Sequence, residues 1–155
     1  MGHQDFMRKA IELAVENVRN GGGPFGAVIV KDGEVVSAGV NRVTANNDPT
    51  AHAEVSAIRA ACTKLGTFNL SGCVIYTSCE PCPMCLGAIY WAHLDKIYYG
   101  ASQYDAAKAG FDDSFIYKEL ELKPQERNKP VENILPDEAV APFDEWRGKC
   151  DKVEY

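Results

Sequence analysis

The chain has 155 residues, 46% of them hydrophobic and 25% charged, and a formal net charge of −6. That length suits a single domain, 1–155, with a core of its own; no apolar run reaches the length of a membrane span, and no basic-then-apolar leader opens the sequence, so a cytoplasmic protein is expected. The negative balance, with Lys and Arg scattered and not clustered, counts against nucleic acid as a partner.

Residues 5–20 predict a helix, with Phe6, Ala10, Leu13, Ala14 and Val18 at helical spacing. Gly21-Gly22-Gly23-Pro24 ends it. The glycine run is no phosphate loop, because it follows a helix, precedes a strand and lacks G-K-[ST]. Phe25–Val30 predicts a strand, Asp32-Gly33 a hairpin turn, and Glu34–Val40 the antiparallel return. Residues 42–48 read as a polar loop. A second helix runs over 51–65, with Val55, Ile58, Ala61, Cys62 and Leu65 as its expected buried stripe and Gly66 as its stop.

Cys73–Thr77 predicts a third strand. Pro81-Cys82-Pro83 opens a helix to about Ala92, where proline fits because first-turn amides have no intrahelical partner. Lys96–Gly100 is a fourth strand, and a strand–helix–strand of this length implies a parallel crossover. Residues 105–110 read as helical, and a further short helix follows through Leu120. Pro124, Pro130, Pro136 and Pro142 punctuate a charged tail that reads as a wrapping arm, with one last helix starting at Pro142.

Six cysteines in a chain expected to stay reduced favour metal binding over disulfides. His52-Ala53-Glu54 and, after twenty-six intervening residues, Pro81-Cys82-Pro83-Met84-Cys85 make an H-x-E…P-C-x-x-C pattern. His52, Cys82 and Cys85 are three ligands for Zn²⁺, with a fourth position left for water, as a catalytic zinc requires. Cys82 and Cys85 sit at a helix N-terminus, where amides and the helix dipole favour thiolates. Glu54 is placed to handle the protons of that water. Other readings stand beside this one: C-x-x-C as a redox pair, or Cys79 as the fourth ligand of a closed structural zinc. Cys79 as a small core residue in the turn fits better. Cys62 and Cys73 fall on apolar faces, and Cys150 has no assigned role. His3 and His93 read as surface histidines.

The pattern is the signature of zinc nucleobase deaminases. Gly23–Ala27, Asn41, Asn47–Val55, Tyr76–Ala92, Ala109–Tyr117 and the terminal Glu154-Tyr155 together resemble the bacterial guanine deaminases of the cytidine-deaminase-like superfamily. The zinc core identifies only the superfamily; Phe111-Asp112-Asp113-Ser114-Phe115 and the C-terminal tyrosine point to the guanine branch. The resemblance implies an α/β fold, a three-layer α/β/α sandwich on a mixed five-stranded sheet. The fifth strand has no clear place, beyond a short piece after Gly110 or one near 131–135. It also implies a homodimer with exchanged C-terminal segments, residues 1–100 forming the zinc core and 101–155 an arm completing the partner's site.

By the same resemblance, one zinc per subunit is held by His52, Cys82 and Cys85, and Glu54 shuttles protons. Asn41 hydrogen-bonds the purine base, Phe25 stacks on it, Trp91 lines the pocket and Tyr155 closes it. Asp113 meets the N1–H and 2-amino edge, two adjacent donors that suit a carboxylate, and is a candidate second proton shuttle. The reaction implied is guanine plus water to xanthine plus ammonia, in purine catabolism or salvage. Plainer roles exist for each: core for Phe25 and Trp91, a turn residue for Asn41, a cap for Asp112, a frayed end for Tyr155. Rival functions are cytosine deaminase, a tRNA-adenosine deaminase, or an inert zinc-stabilised binding module.

Overall fold

Alternate residues of the strand Gly26–Lys31 (β1) face two separate cores, and that alternation sets the layers of the fold. The computed structural model describes all 155 residues, Met1–Tyr155. Val28 and Val30 pack with Phe6 and Ala10 of helix α1 (His3–Arg19) and with Tyr76. Ala27 and Ile29 pack on the opposite face of the sheet.

β1 is antiparallel to both its neighbours, β2 (Glu34–Val40) and β3 (Cys73–Cys79), while β3 runs parallel to β4 (Lys96–Ala101). The order is β2-β1-β3-β4. Asp32 and Gly33 turn the hairpin with φ of 49° and 78°, the left-handed pair that matches strand twist. After β2 the short helix α2 (Val43–Asn46) occupies the stretch expected as a loop; Asn47 closes it in the left-handed region at φ 48°. Then come α3 (Ala53–Leu65) and, crossing between β3 and β4, α4 (Pro83–Trp91). Their Ala53, Ala57, Ala61 and Ile89 cover Ala27, Ile29 and Ile75, completing an α/β/α arrangement.

The buried stripe of α3 differs from the expected one. Ala53, Ala57 and Ala61 are sealed, while Val55, Ile58 and Cys62 are half-buried and Leu65 is exposed. Close approach is the cause: a Cβ at Gly39 of β2 would lie 2.3 Å from Ala53 O and 2.6 Å from Ala57 N. Small residues on both surfaces let the start of α3 sit directly on the sheet.

The sheet has four strands, not five. Beyond β4 the chain turns at once into α5 (Gln103–Lys108), because Ser102 caps it, accepting from Asp105 N at 3.2 Å while the Asp105 carboxylate reaches back to Ser102 N at 2.9 Å. From Ser114 the backbone is helical again in α6 (Ser114–Glu121). Residues 131–135 lie between Pro130 and Pro136 and join no ladder, proline having no N–H to donate.

His3 is exposed but tied down: its Nδ1 lies 2.5 Å from the Tyr76 hydroxyl, and its ring stacks on Tyr98 at 4.6 Å. No helix is long and apolar enough to cross a membrane.

The chain divides into two compact units, Met1–Ser114 and Phe115–Tyr155. The first holds the sheet and both cores. The second contains the rest of α6, the 3₁₀ turns 124–126 and 138–140, and α7 (Ala141–Gly148). Arg127 Nε donates to Glu119 O at 3.0 Å and Asn128 N to the Glu119 carboxylate at 3.0 Å, folding the chain back on α6. None of residues 115–155 is buried.

Candidate metal centre and active site

His52 is the N-cap of α3 and Cys82 the N-cap of α4, both with extended backbone, so two helix N-termini present the cluster. Pro83 follows Cys82 at the first helical position, and Cys85 lies within the first turn. His52 Nδ1 is 3.5 Å from Cys82 Sγ and 3.5 Å from Cys85 Sγ. The three ligand atoms lie within 4.8 Å of one another. Zinc at about 2.3 Å from sulfur and about 2.0 Å from nitrogen, in tetrahedral geometry, needs nitrogen and sulfur about 3.5 Å apart. Both nitrogen–sulfur distances match that requirement.

The thiols are electronically prepared as well. A hydrogen bond from Cys85 draws Cys82 down to about 4, with His52 adding to the effect. Cys85, which supplies that proton and is buried, is pushed up in return. His52 is raised by its bond to Cys82. Zinc would displace these shared protons and fix both sulfurs as thiolates.

Cys79 stays outside the cluster. Burial, first, and nearby carboxylates push it up to about 11, and its Sγ lies 3.7 Å from Ser102 O. Cys79 is not among the residues whose ligand atoms cluster. The three-residue group therefore has the composition of an open catalytic site and not of a closed structural one.

Glu54 is 5% exposed, a carboxyl raised above its ordinary range chiefly by desolvation, and it bonds to the Cys85 thiol. Such burial beside a metal set is how a carboxylate acquires proton affinity suited to transfer. Asp113 is also raised, first by desolvation and then by Cys82, Glu80 and Asp112 nearby. It therefore lies within electrostatic reach of the cluster. Glu80 accepts from Gln103 N at 3.1 Å and its own amide bonds to Ala101 O at 2.8 Å, fastening the start of α5 to the turn before the cysteines.

Phe25 lies just ahead of β1, half-buried, and Phe111 meets it edge-on with centroids 5.0 Å apart. Asn41 follows β2; its Oδ1 accepts from Val43 N at 3.2 Å, and its backbone N–H donates to Phe25 O at 3.2 Å. Trp91, the last residue of α4, is 68% exposed. Six residues of helical rise, about 9 Å, separate it along the axis from Cys85. Tyr155 belongs to the second unit and is 76% exposed. The first unit thus brings together His52, Cys82, Cys85 and Glu54, with Asp113 in electrostatic reach, and places Phe25 beside Asn41. Sequence reasoning passed over Phe111 and Glu80; the aromatic following Gly110 and the acid before Pro81 were visible but had no partner to pair with until the fold supplied one.

The description "Cytidine and deoxycytidylate deaminase zinc-binding region" matches residues 1–101. Guanine deaminase of Bacillus subtilis is 56% identical over 156 residues, 100% of each chain. Its X-ray structure superposes with a TM-score of 0.97, covering 100% of this chain and 99% of that one. A tRNA-specific adenosine deaminase of Aquifex aeolicus is 42% identical over 101 residues, 65% of this chain and 67% of its own. Guanine deaminase from Nitrosomonas europaea matches at 34% identity and TM-score 0.70, over 72% of this chain and 65% of that one.

Proposed function

This chain belongs to the cytidine and deoxycytidylate deaminase family, and from that premise we propose that it hydrolyses guanine to xanthine and ammonia at a zinc centre. The observation that carries the choice of base is the end-to-end likeness to a guanine deaminase, second unit included. The tRNA-specific relative leaves about a third of the chain unmatched, and a net charge of −6 does not favour a phosphate backbone.

His52, Cys82 and Cys85 hold the ion, one per subunit. When bound, zinc supplies Lewis acidity that brings the pKa of a water toward 7. Glu54 takes a proton from the water attacking C2 of guanine. It gives that proton to a ring nitrogen, then takes the second one from the new C2 hydroxyl and gives it to the departing amine. The C2–N bond breaks, ammonia leaves, and a carbonyl remains. Asp113 accepts from N1–H and the 2-amino group, and its raised proton affinity suits it as a second carrier. Phe25 stacks on the base. Asn41 has its Oδ1 committed to Val43 N, so its amide protons are what it offers to the acceptors of the purine.

The second unit completes the site of a second copy. Its 41 residues bury none of their own side chains, while Phe115, Leu120, Ile134, Phe143 and Tyr155 are all more than half exposed. Apolar surface of that extent is stable when covered by a partner. On this reading the protein is a cytoplasmic homodimer with exchanged C-terminal arms, Tyr155 closing and Trp91 lining the pocket.

The test is ammonia release by zinc-loaded protein offered guanine, cytosine, adenine and guanosine separately. Guanine alone should react. Release from cytosine or adenine instead would leave the zinc chemistry standing and defeat the assignment of the base.

A further inference from the structure

The glycine run that ends α1 has no part in the chemistry above, yet its backbone leaves room that side chains would fill. A Cβ at Gly22 would lie 2.4 Å from Asn17 Nδ2, and one at Gly23 would lie 3.1 Å from Asn41 Cγ. The Asn17 amide uses the room at Gly22, and the Asn41 side chain the room at Gly23. Asn17 Nδ2 donates to Gly23 O at 2.8 Å and to Asn41 O at 2.9 Å. Both protons of one side chain are committed to carbonyls of two different loops.

Each loop delivers one base-binding residue. Phe25 N also bonds to Gly23 O, at 2.9 Å, and Asn41 N bonds to Phe25 O at 3.2 Å. Asn17 itself stands on α1, which Phe6, Ala10 and Ala14 anchor in the core. We propose that Asn17 is a positioning residue for base binding: its amide fixes the spacing between Phe25 and Asn41, and glycine at 22 is what admits it. The inference rests on guanine being the substrate and on Phe25 and Asn41 being its binding residues. A purine stacked on one and hydrogen-bonded by the other is sensitive to that spacing. The zinc ligands and Glu54 lie on α3 and α4 and share no hydrogen bond with Asn17, so the effect falls on KM and not on kcat.

The test is steady-state ammonia release from guanine by wild type, Asn17→Ala, Gly22→Ala and the double variant, with zinc content and Tm measured on each. Gly22→Ala keeps Asn17 but drives its amide off the two carbonyls. Both single variants should raise KM about fivefold or more, with kcat within about twofold and zinc unchanged. In the Asn17→Ala background the three atoms nearest the added methyl at 22 are gone, so it should change KM no further. A general loosening of the loop would give additive effects, which would overturn the proposal. An unchanged KM in either single variant would overturn it too, whatever happens to Tm. If Asn17→Ala does not fold, the KM of Gly22→Ala decides alone. Wild-type protein that releases ammonia from no guanine overturns the functional reading, and this proposal with it.

Discussion

Phe111 meets Phe25 edge-on, the ring planes at 87° and the centroids 5.0 Å apart. Phe111 is itself held by its amide bond to Ala106 O at 2.9 Å, at the end of α5. The contact fixes the plane of the ring on which the base is expected to stack. An aromatic pair of this geometry is worth about 0.5–1.5 kcal/mol beyond its area. Phe111→Ala should therefore raise KM for guanine by about two- to tenfold and leave zinc content intact. Steady-state kinetics with metal analysis decides it; an unchanged KM would make Phe111 a plain surface aromatic.

The zinc triangle predicts a coupled loss of metal and stability. Removing zinc with a chelator should abolish ammonia release and lower Tm, and readdition should restore both. Cys85→Ala should bind no stoichiometric zinc. His52, Cys82 and Cys85 come from the starts of two helices, so an ion held by all three would tie α3 to α4. A chelated protein with unchanged Tm would show that the helices need no such tie.

Much of this was legible from the chain because its signals are local. The Asp32-Gly33 hairpin, the period of α1, and the proline opening α4 each depend on near neighbours, and H-x-E with P-C-x-x-C carries its chemistry in its residue types. What escaped depends on distant pairs. The α3 stripe kept the expected Ala61 but took in Ala53 and Ala57 because Gly39 of β2 approaches them so closely, and neither half of that contact signals the other. Phe111 against Phe25, and Asn17 between two loops, are likewise pairings that only the fold creates. The fifth strand failed for the opposite reason: it was implied by the resemblance alone, no residues marked its place, and neither the stretch after Gly110 nor 131–135 joins a ladder.

Glu54 yields two measurements. Glu54→Gln should retain zinc and lose kcat by about 10²–10⁴ or more, the range for removing a general acid–base. An inert binding module would be indifferent. In zinc-free protein the substitution also bears on stability. Burial raises the Glu54 carboxyl above 4.5. Below pH 4.5 it is protonated folded and unfolded alike, and burial carries no ionic penalty. As pH climbs past 4.5 the unfolded chain loses its proton first, so the wild type loses stability with rising pH. Zinc-free Glu54→Gln lacks that loss. Its Tm advantage over wild type should grow between pH 4.5 and 7; an advantage flat with pH would mean that the buried carboxyl is not raised.

The arm exchange predicts complementation. Asp113 lies in the first unit with Glu54, so an Asp113 variant cannot separate arm from body, whereas the terminal tyrosine can. A variant lacking residues 153–155 should keep its fold and zinc but show impaired turnover of guanine, because Tyr155 is 76% exposed and lies outside both cores. Glu54→Ala alone is inactive. In a mixed dimer with exchanged arms, the body that retains Glu54 receives the intact arm of the Glu54→Ala chain, and one site of the two is whole. Random reassortment of equal amounts gives about half mixed dimers, so activity should return to about a quarter of the wild-type value. Arms that serve their own chain give no sound site in any dimer. Activity after co-refolding that stays at the level of the two separate variants would place Tyr155 in the site of its own subunit, or outside the site altogether.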